Sequence, residues 1–401
     1  MNEKPLKYNP NKYKFLFFLL RGIAFLYTRL ILGYRSQDKY KLKKGEKVII
    51  LSNHQTDADP FCVLTSFKFP VRTVATDNIF AGKFRSKLFS ALGTIPKKKG
   101  LSDMRAVVKM KETIDCGGSL LIFPEGNRSF CEFQFHIANT LATLLKKFKA
   151  TVVLFNLHGG TGRAPRFKNK NRKGRFYGEI KRVLKYEEYS LIPDDEFIEL
   201  IKSELKVYDA DEGNLYKSKR RAEYLERTFF VCPVCEKTQT LYSKGNYLFC
   251  KNCGMKAEYT EDLHFKSVNN FPFTRSIEFW NYQKRYLKDL EITPDKTIFS
   301  DKNVKVYLSN PYENRKLLYK GDINLTDKYL CFGENKFDLK TIEISSVVSG
   351  RNLVFLSEGN NYTLRGDKRF NPLKYALIFN KLDTLMKEKG TDLYFNLAED
   401  E

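Results

Sequence analysis

Between residues 47 and 186 the chain switches back and forth between short apolar or β-branched runs and longer segments with helical spacing. VIILS (48–52), VRTVAT (71–76), SLLIFP (119–124) and TVVLFNL (151–157) read as strands, the apolar ones as buried strands. PFCVLTSFKF (60–69), FRSKLFSAL (84–92), SDMRAVVKMKETIDCGG (102–118) and FHIANTLATLLKKFKA (135–150) read as helices. Pro60 suits the first turn of one, and Ser102 is the candidate cap of another, which ends at a glycine pair. Strands alternating with helices predict an α/β domain with a central sheet flanked by helices.

The chemistry sits at strand ends. VIILS runs straight into NHQTDAD, so His54 is delivered to a loop with Asp59 five residues on, at the start of the next helix. A loop histidine is a candidate general base, and a nearby carboxylate fixes its tautomer and stabilises the imidazolium. No G-x-S-x-G elbow is present, which leaves room for the activated hydroxyl to belong to the substrate. The second block, FPEGNRS, puts Glu125, Gly126 and Arg128 directly after another buried strand, a good clamp for a phosphate and its neighbouring hydroxyls. Between the two lies GTIPKKKG, with Lys97, Lys98 and Lys99. Taken alone, His54 reads rather as a structural histidine beside a helix cap, and Lys98 or Lys99 as part of a solvated turn.

With these blocks in view, the chain resembles the glycerolipid acyltransferase family, the lysophosphatidate acyltransferases. NHQTDAD stands for the family's NHxxxxD and FPEGNRS for its FPEGTRS, in the same order and with a basic block between. The resemblance spans roughly residues 10–190. It implies that His54 deprotonates the acceptor hydroxyl and Asp59 orients it. It implies further that Lys97 and Lys98 bind the acceptor phosphate, and that Glu125, Gly126 and Arg128 hold the glycerol phosphate of a lysophospholipid acceptor. The implied acyl donor is acyl-CoA or acyl carrier protein. The chain departs from the pattern in three places. Lysine replaces the arginine of the second block, and a lysine binds phosphate without the bidentate fork. Asn127 replaces threonine. VVLFNLHGG stands where a short apolar strand ending in proline is usual, which leaves His158, Gly159 and Gly160 without a role.

Farther on, CPVC (232–235) and CKNC (250–253) are separated by fourteen residues. Two such knuckles offer four thiolates tetrahedrally, so Cys232, Cys235, Cys250 and Cys253 are expected to hold a structural Zn²⁺ in what resembles a zinc ribbon. The last hundred residues carry VKVYLS, KLLYKGDINLT, KYLCFGENKFDLK, TIEISSVV, NLVFLSE and NYTLRG, then one helix. Its apolar face is Tyr375, Ile378, Phe379, Leu382, Leu385 and Met386. That layout loosely resembles a pleckstrin-homology-like (PH-like) barrel, a small α+β domain.

At the other end, KYKFLFFLLRGIAFLYTRLILGYR mixes Phe and Leu with Lys12, Lys14, Arg21, Arg29 and Arg35. The charges interrupt it too often for a spanning helix, and no small-residue cleavage site follows for a signal peptide. The pattern predicts a helix lying in an anionic membrane surface with its basic groups toward the phosphates, placing the protein peripherally or monotopically on the cytoplasmic face of the cell membrane. A charged fraction of 29% and a mean hydropathy of −0.45 exclude a polytopic membrane protein. The net charge of +23 draws polyanions of any kind. No RNP or helix-turn-helix pattern accompanies it, so nucleic acid is not the expected partner.

The expected division is 1–46 membrane-interface helical segment, 47–192 acyltransferase domain, 193–229 helical linker, 230–260 zinc ribbon, 261–295 helical linker and 296–391 PH-like domain. The competing reading is an inactive acyltransferase-like zinc-ribbon adaptor that binds lipid or protein. A dead scaffold, though, has no reason to keep His54, Asp59, Glu125 and Arg128 together.

Overall fold

The computed structural model describes residues 10–80, 82–98, 103–168, 170–348 and 350–387. The chain divides into two compact units. The first takes the described residues up to Arg128, with Gln134–Gly160 and Arg175–Tyr208; the second takes Ser129–Phe133, Thr161–Gly174 and the chain from Asp209 onward.

The first unit is built on a seven-stranded mixed sheet: β1 (Arg35–Ser36), β2 (Val48–Ser52), β3 (Val71–Thr76), β4 (Ile95–Lys97), β5 (Ser119–Ile122), β6 (Thr151–His158) and β7 (Tyr177–Leu184). The order is β1-β7-β6-β2-β5-β3-β4. All neighbours are parallel except β6 and β7. Successive strand residues face opposite sides. Ile49, Leu51, Leu120, Val152 and Leu154 enter one apolar cluster; Val48, Ile50, Leu121, Val153 and Phe155 enter another. Two buried faces explain why β2, β5 and β6 read as unbroken apolar runs.

The helices of this unit are α1 (Pro10–Leu26), α2 (Asp59–Ser66), α3 (Lys83–Ala91), α4 (Met104–Asp115) and α5 (Thr140–Phe148); α4 and α5 join the first cluster and α2 the second. Single turns follow at α6 (Gly160–Arg163) and α7 (Tyr186–Tyr189), then α8 (Asp194–Leu205). Asp103 caps α4, accepting the Ala106 N–H at 3.2 Å; the expected cap Ser102 lies outside the described residues, as does Lys99. The helix expected over 135–150 begins only at Thr140, because the Phe135 amide is spent on the Glu125 carboxylate at 2.9 Å. The helix expected over 193–229 ends at Leu205. Phe197, Ile198, Ile201 and Leu205 of α8 sit in the sheet core, so the sheet unit runs past residue 192.

α1 packs on α2, buries Phe17 and continues into a π-helical turn at Tyr27–Ile31. Arg21 turns inward: its Nε donates to Phe67 O at 2.9 Å and its Nη2 to Thr65 O at 2.8 Å, which caps the C-terminus of α2. This corrects the expectation that Arg21 faces phosphates. Phe15, Leu19, Ile23, Leu26 and Leu30 are exposed. No helix among the described residues is long and apolar enough to cross a membrane.

The second unit holds two antiparallel sheets. Strands β8 (Leu241–Lys244), β9 (Tyr247–Cys250), β10 (Lys256–Tyr259) and β11 (Phe265–Asn269) pair in the order β11-β10-β9-β8. The sheet therefore extends past residue 260, and the 261–295 segment contributes β11 before its helix α9 (Ser276–Asp289). Residues 209–229 are not a linker: Tyr216, Ala222, Leu225 and Phe229 are buried, and the only helical turns there are short, Asp209–Glu212 and Leu225–Arg227.

The other sheet comprises β12 (Phe299–Leu308), β13 (Lys316–Leu325), β14 (Tyr329–Phe332), β15 (Asn335–Asp338), β16 (Ile342–Val348), β17 (Asn352–Ser357) and β18 (Asn360–Arg365), followed by α10 (Pro372–Lys387). Its order is β15-β14-β13-β12-β18-β17-β16. KYLCFGENKFDLK splits into the hairpin β14–β15, turning at Gly333, whose φ of 59° lies in the left-handed region. Helix α10 packs on β16 and β17 with Tyr375, Ile378, Phe379 and Leu382 buried; the side chains of Leu385 and Met386 lie outside the described ones.

Candidate active site and metal centre

β2 and β5 are adjacent and parallel, with Leu51 opposite Ile122, so their C-terminal ends meet at one sheet edge. In open α/β sheets that edge is where ligands bind. His54 leaves the end of β2 and Glu125 the end of β5, which brings together two motifs 71 positions apart in sequence.

His54 Nδ1 lies 2.9 Å from Asp59 Oδ2. Asp59 is fully buried at the N-terminus of α2. Its Oδ2 also accepts the Gln55 N–H at 2.5 Å and the Thr56 N–H at 2.7 Å, and its Oδ1 accepts the Thr56 hydroxyl at 2.5 Å. A carboxylate held by that many donors stays put and presents one lone pair to the imidazole. The His54 ring stacks on Phe123, with centroids 4.3 Å apart. With Nδ1 on Asp59, Nε2 has no hydrogen-bond partner among the described residues, and the side chain keeps 19% of its exposure. Burial lowers the His54 pKa and Asp59 pulls it back up, with the lowering dominant. The ring is therefore neutral at pH 7 and its Nε2 is a free base.

Glu125 braces this loop. Its Oε1 accepts the His54 N–H at 3.1 Å and its Oε2 the Phe135 N–H at 2.9 Å. Burial raises its pKa to about 8 against the pull of those two donors. Gly126 sits at φ 61° and its N–H closes a turn onto Phe123 O at 3.0 Å, a geometry that favours glycine. Arg128 Nη1 reaches Asp57 Oδ1 at 3.0 Å, a further tie between the two motif loops.

Lys97 ends β4, paired with Thr76 of β3. The registers Leu51–Ile122, Thr73–Leu121 and Thr76–Lys97 put it level with Asn53 and Pro124. β4 is three strands from β2, about 14 Å across the sheet edge. Burial lowers the Lys97 pKa while Asp103 raises it. The Lys98 amide donates to Asp103 Oδ2 at 2.9 Å, and its side chain is exposed.

The HGG stretch acquires a structural account. The side chain of Asn53 pairs with β6 in both directions, Nδ2 to Leu157 O at 2.9 Å and Oδ1 from the Leu157 N–H at 2.8 Å. The next turn brings the Gly160 N–H to Gln55 Oε1 at 2.9 Å. A Cβ on Gly160 would fall 2.8 Å from Gln55 Cβ and 3.0 Å from Thr56 Cγ2. Gly160 thus lets β6 close against the loop that holds Asp59. His158 stacks on Tyr177 with centroids 4.6 Å apart and lies 3.2 Å from Glu179 Oε1. Gly160→Ala is expected to cost about 1–3 kcal/mol of stability. It should also lower turnover at least tenfold, as the Asp59 donors shift; thermal unfolding and turnover check this, and an unchanged kcat would remove the packing argument.

In the second unit, Cys232, Cys235, Cys250 and Cys253 place their Sγ atoms within 4.8 Å of one another. Cys232 and Cys253 are 3.6 Å apart, and Cys235 and Cys250 3.8 Å. Tetrahedral Zn–S bonds of about 2.3 Å give S···S edges of about 3.8 Å, so the four thiols fit a metal ion of that type. The Asn252 N–H points to Cys250 Sγ at 3.4 Å, as a knuckle amide does toward a ligating sulfur.

Residues 34–154 match the family model described as Acyltransferase. That segment is an acyltransferase-type domain by this match, and it carries the two motif blocks at its sheet edge. Among solved structures the chain is similar to the 1-acyl-sn-glycerophosphate (LPA) acyltransferase PlsC from Thermotoga maritima, at 16% identity and a TM-score of 0.41, over 48% of this chain and 78% of that one. No curated protein matches the chain.

Proposed function

We propose that the protein is a lysophospholipid acyltransferase working at an anionic membrane surface. It transfers an acyl group from acyl-CoA or acyl carrier protein to the free hydroxyl of 1-acyl-glycerol-3-phosphate, giving phosphatidate. The observation that carries the reading is the His54–Asp59 contact at 2.9 Å with Nε2 left free. In the reaction, His54 Nε2 takes the hydroxyl proton as the oxygen attacks the thioester carbonyl. The ester C–O bond forms, the C–S bond breaks, and the proton passes from the imidazolium to the leaving thiolate. Asp59 holds the Nδ1–H tautomer and stabilises the imidazolium during that passage. Arg128, Lys97 and Lys98 neutralise the acceptor phosphate, and Glu125 and Gly126 shape the loop that receives the glycerol.

Three further parts belong to this reading. The four thiolates hold a structural Zn²⁺, with no open position for catalysis. The β12–β18 sheet with α10 is a PH-like domain, a reading supported by its seven antiparallel strands and one terminal helix. The exposed apolar residues of α1 lie in the bilayer interface on the cytoplasmic face.

Incubation of the purified protein with labelled acyl-CoA or acyl carrier protein and a panel of lysolipids tests the reaction. Phosphatidate is the expected product, and no acylation of any lysolipid or glycerol phosphate would leave the inactive adaptor standing. For the membrane contact, Phe15→Ser with Leu19→Ser should weaken vesicle sedimentation at least tenfold, because each buried large apolar side chain contributes about 1.5–3 kcal/mol. Unchanged sedimentation would remove α1 from the interface.

A further inference from the structure

The basic stretch at 163–175 has no part in the acyl-transfer chemistry, yet most of it is folded into the second unit. There Lys173 and Lys217 pair as an antiparallel bridge. The Lys173 N–H donates to Lys217 O at 3.1 Å and the Lys217 N–H to Lys173 O at 2.7 Å. This pairing lays two cationic segments side by side: Lys170 and Lys173 on one, Lys217, Lys219 and Arg220 on the other, all exposed. The Ala222 N–H to Gly245 O bond at 3.0 Å brings in exposed Lys244 from the β8–β9 hairpin.

Basic residues of the same region that serve the fold look different. Arg221 is buried, with Glu258 at 3.0 Å and Glu261 at 3.3 Å. Arg172 is buried and donates to Gly162 O at 3.1 Å and Arg221 O at 2.6 Å. The six exposed cations form no ion pair among the described residues. Six like charges on two adjoining segments and a hairpin repel one another, so the fold gains nothing from their clustering.

We propose that this surface docks on an anionic lipid bilayer, as a second membrane contact independent of α1. The inference deepens the membrane-surface reading above and rests on it. Two features favour headgroups over nucleic acid. Among the described residues the nearby rings are poor platforms for base stacking: Tyr216 is buried, and Tyr247, on the hairpin that carries Lys244, has the Lys256 ammonium 4.6 Å from its centroid. Leu215, two residues before Lys217, is instead 52% exposed, an apolar group set among cations as at a bilayer interface. Each cation close to an anionic surface strengthens binding about fivefold, and the effect fades within a Debye length of about 8 Å at physiological salt.

The test is co-sedimentation of the full chain with phosphatidylcholine vesicles, with and without phosphatidylglycerol as a third of the lipid. The variant carries Lys173→Glu, Lys217→Glu, Lys219→Glu and Arg220→Glu. It should bind the anionic vesicles roughly a hundredfold or more weakly at low salt, while keeping the parent's unfolding midpoint and its turnover of detergent-dispersed acceptor. The corresponding glutamine variant should fall between, which guards against a misfolded reversal. If the reversal variant binds as tightly as the parent while the Phe15→Ser, Leu19→Ser variant does not, the second contact is wrong and the membrane reading stands. If the parent itself ignores anionic vesicles, both fall. Should the reversal variant lose a single-stranded RNA probe while keeping the vesicles, the surface belongs to nucleic acid and the proposal is overturned.

Discussion

His54→Ala is expected to lower kcat for acyl transfer by about 10²–10⁴-fold, the range that a positioned general base supplies. The loss corresponds to about 3–5 kcal/mol of transition-state stabilisation. KM for both substrates should change little, because Nε2 acts on the proton in flight and not on the bound phosphate or acyl chain. The fold should survive: the ring is partly exposed, and its removal forfeits one stack on Phe123 and one hydrogen bond to Asp59. Asp59→Asn should cost more in stability, since the incoming amide cannot accept from the Gln55 and Thr56 amides and the Thr56 hydroxyl as the carboxylate does. The pH dependence follows in sign from the His54 shift. Only the neutral imidazole works, and burial lowers its pKa, so kcat/KM should hold its plateau down to below pH 6.5 and then fall as the ring is protonated. A His54→Ala enzyme with more than a tenth of the parent kcat, or a rate that falls on acidification starting above pH 7, would remove His54 as the base.

Much of this site is legible in the sequence because parallel sheets bring strand C-terminal ends to one edge. Once VIILS and SLLIF read as strands, NHQTDAD and FPEGNRS have to follow them at strand ends. What the sequence does not carry is strand order. The adjacency of β2 and β5, and hence the Glu125–His54 contact, depends on a crossover that skips β3 and β4. Nor does local pattern reveal Gln55, Thr56 and Gly160 as the packing that fixes Asp59, because Gly160 meets that loop 105 positions away. The helices expected over 135–139 and 206–229 fail for a related reason: apolar spacing alone favours helix there, but their amides and rings are spent on tertiary partners, Phe135 on Glu125 and Tyr216 in the core. Arg21 is the same lesson for charge. A basic residue in an apolar helix reads as a headgroup contact until the carbonyls at the C-terminal end of α2 are in view.

Loss of the metal ion proposed for the four thiols is expected to unfold the β8–β11 sheet while sparing acyl chemistry in its elementary step. The strands have only four or five residues each, and besides the ligand candidate Cys250 they bury Leu241, Leu248, Ala257, Tyr259 and Phe265. So small a core supplies little stability without a staple. A Cys₄ zinc site supplies about 10–16 kcal/mol of apparent binding free energy at neutral pH, and where no site exists in the unfolded chain that energy goes into folding. The thiols are already disposed at metal-like separations of 3.6 and 3.8 Å. Cys235→Ser or Cys250→Ser should therefore abolish stoichiometric zinc in the purified chain. Either change should lower the unfolding midpoint of the second unit by well over ten degrees, since about 1 kcal/mol already moves a small domain by roughly 4–8 °C. Cys116→Ser, at an exposed thiol of the first unit, should change neither. Zinc content by elemental analysis and hydrogen exchange across residues 230–269 decide the matter. Full protection of β8–β11 in a zinc-free Cys250→Ser protein would mean that the apolar core alone holds the sheet, and the thiols would then need another explanation.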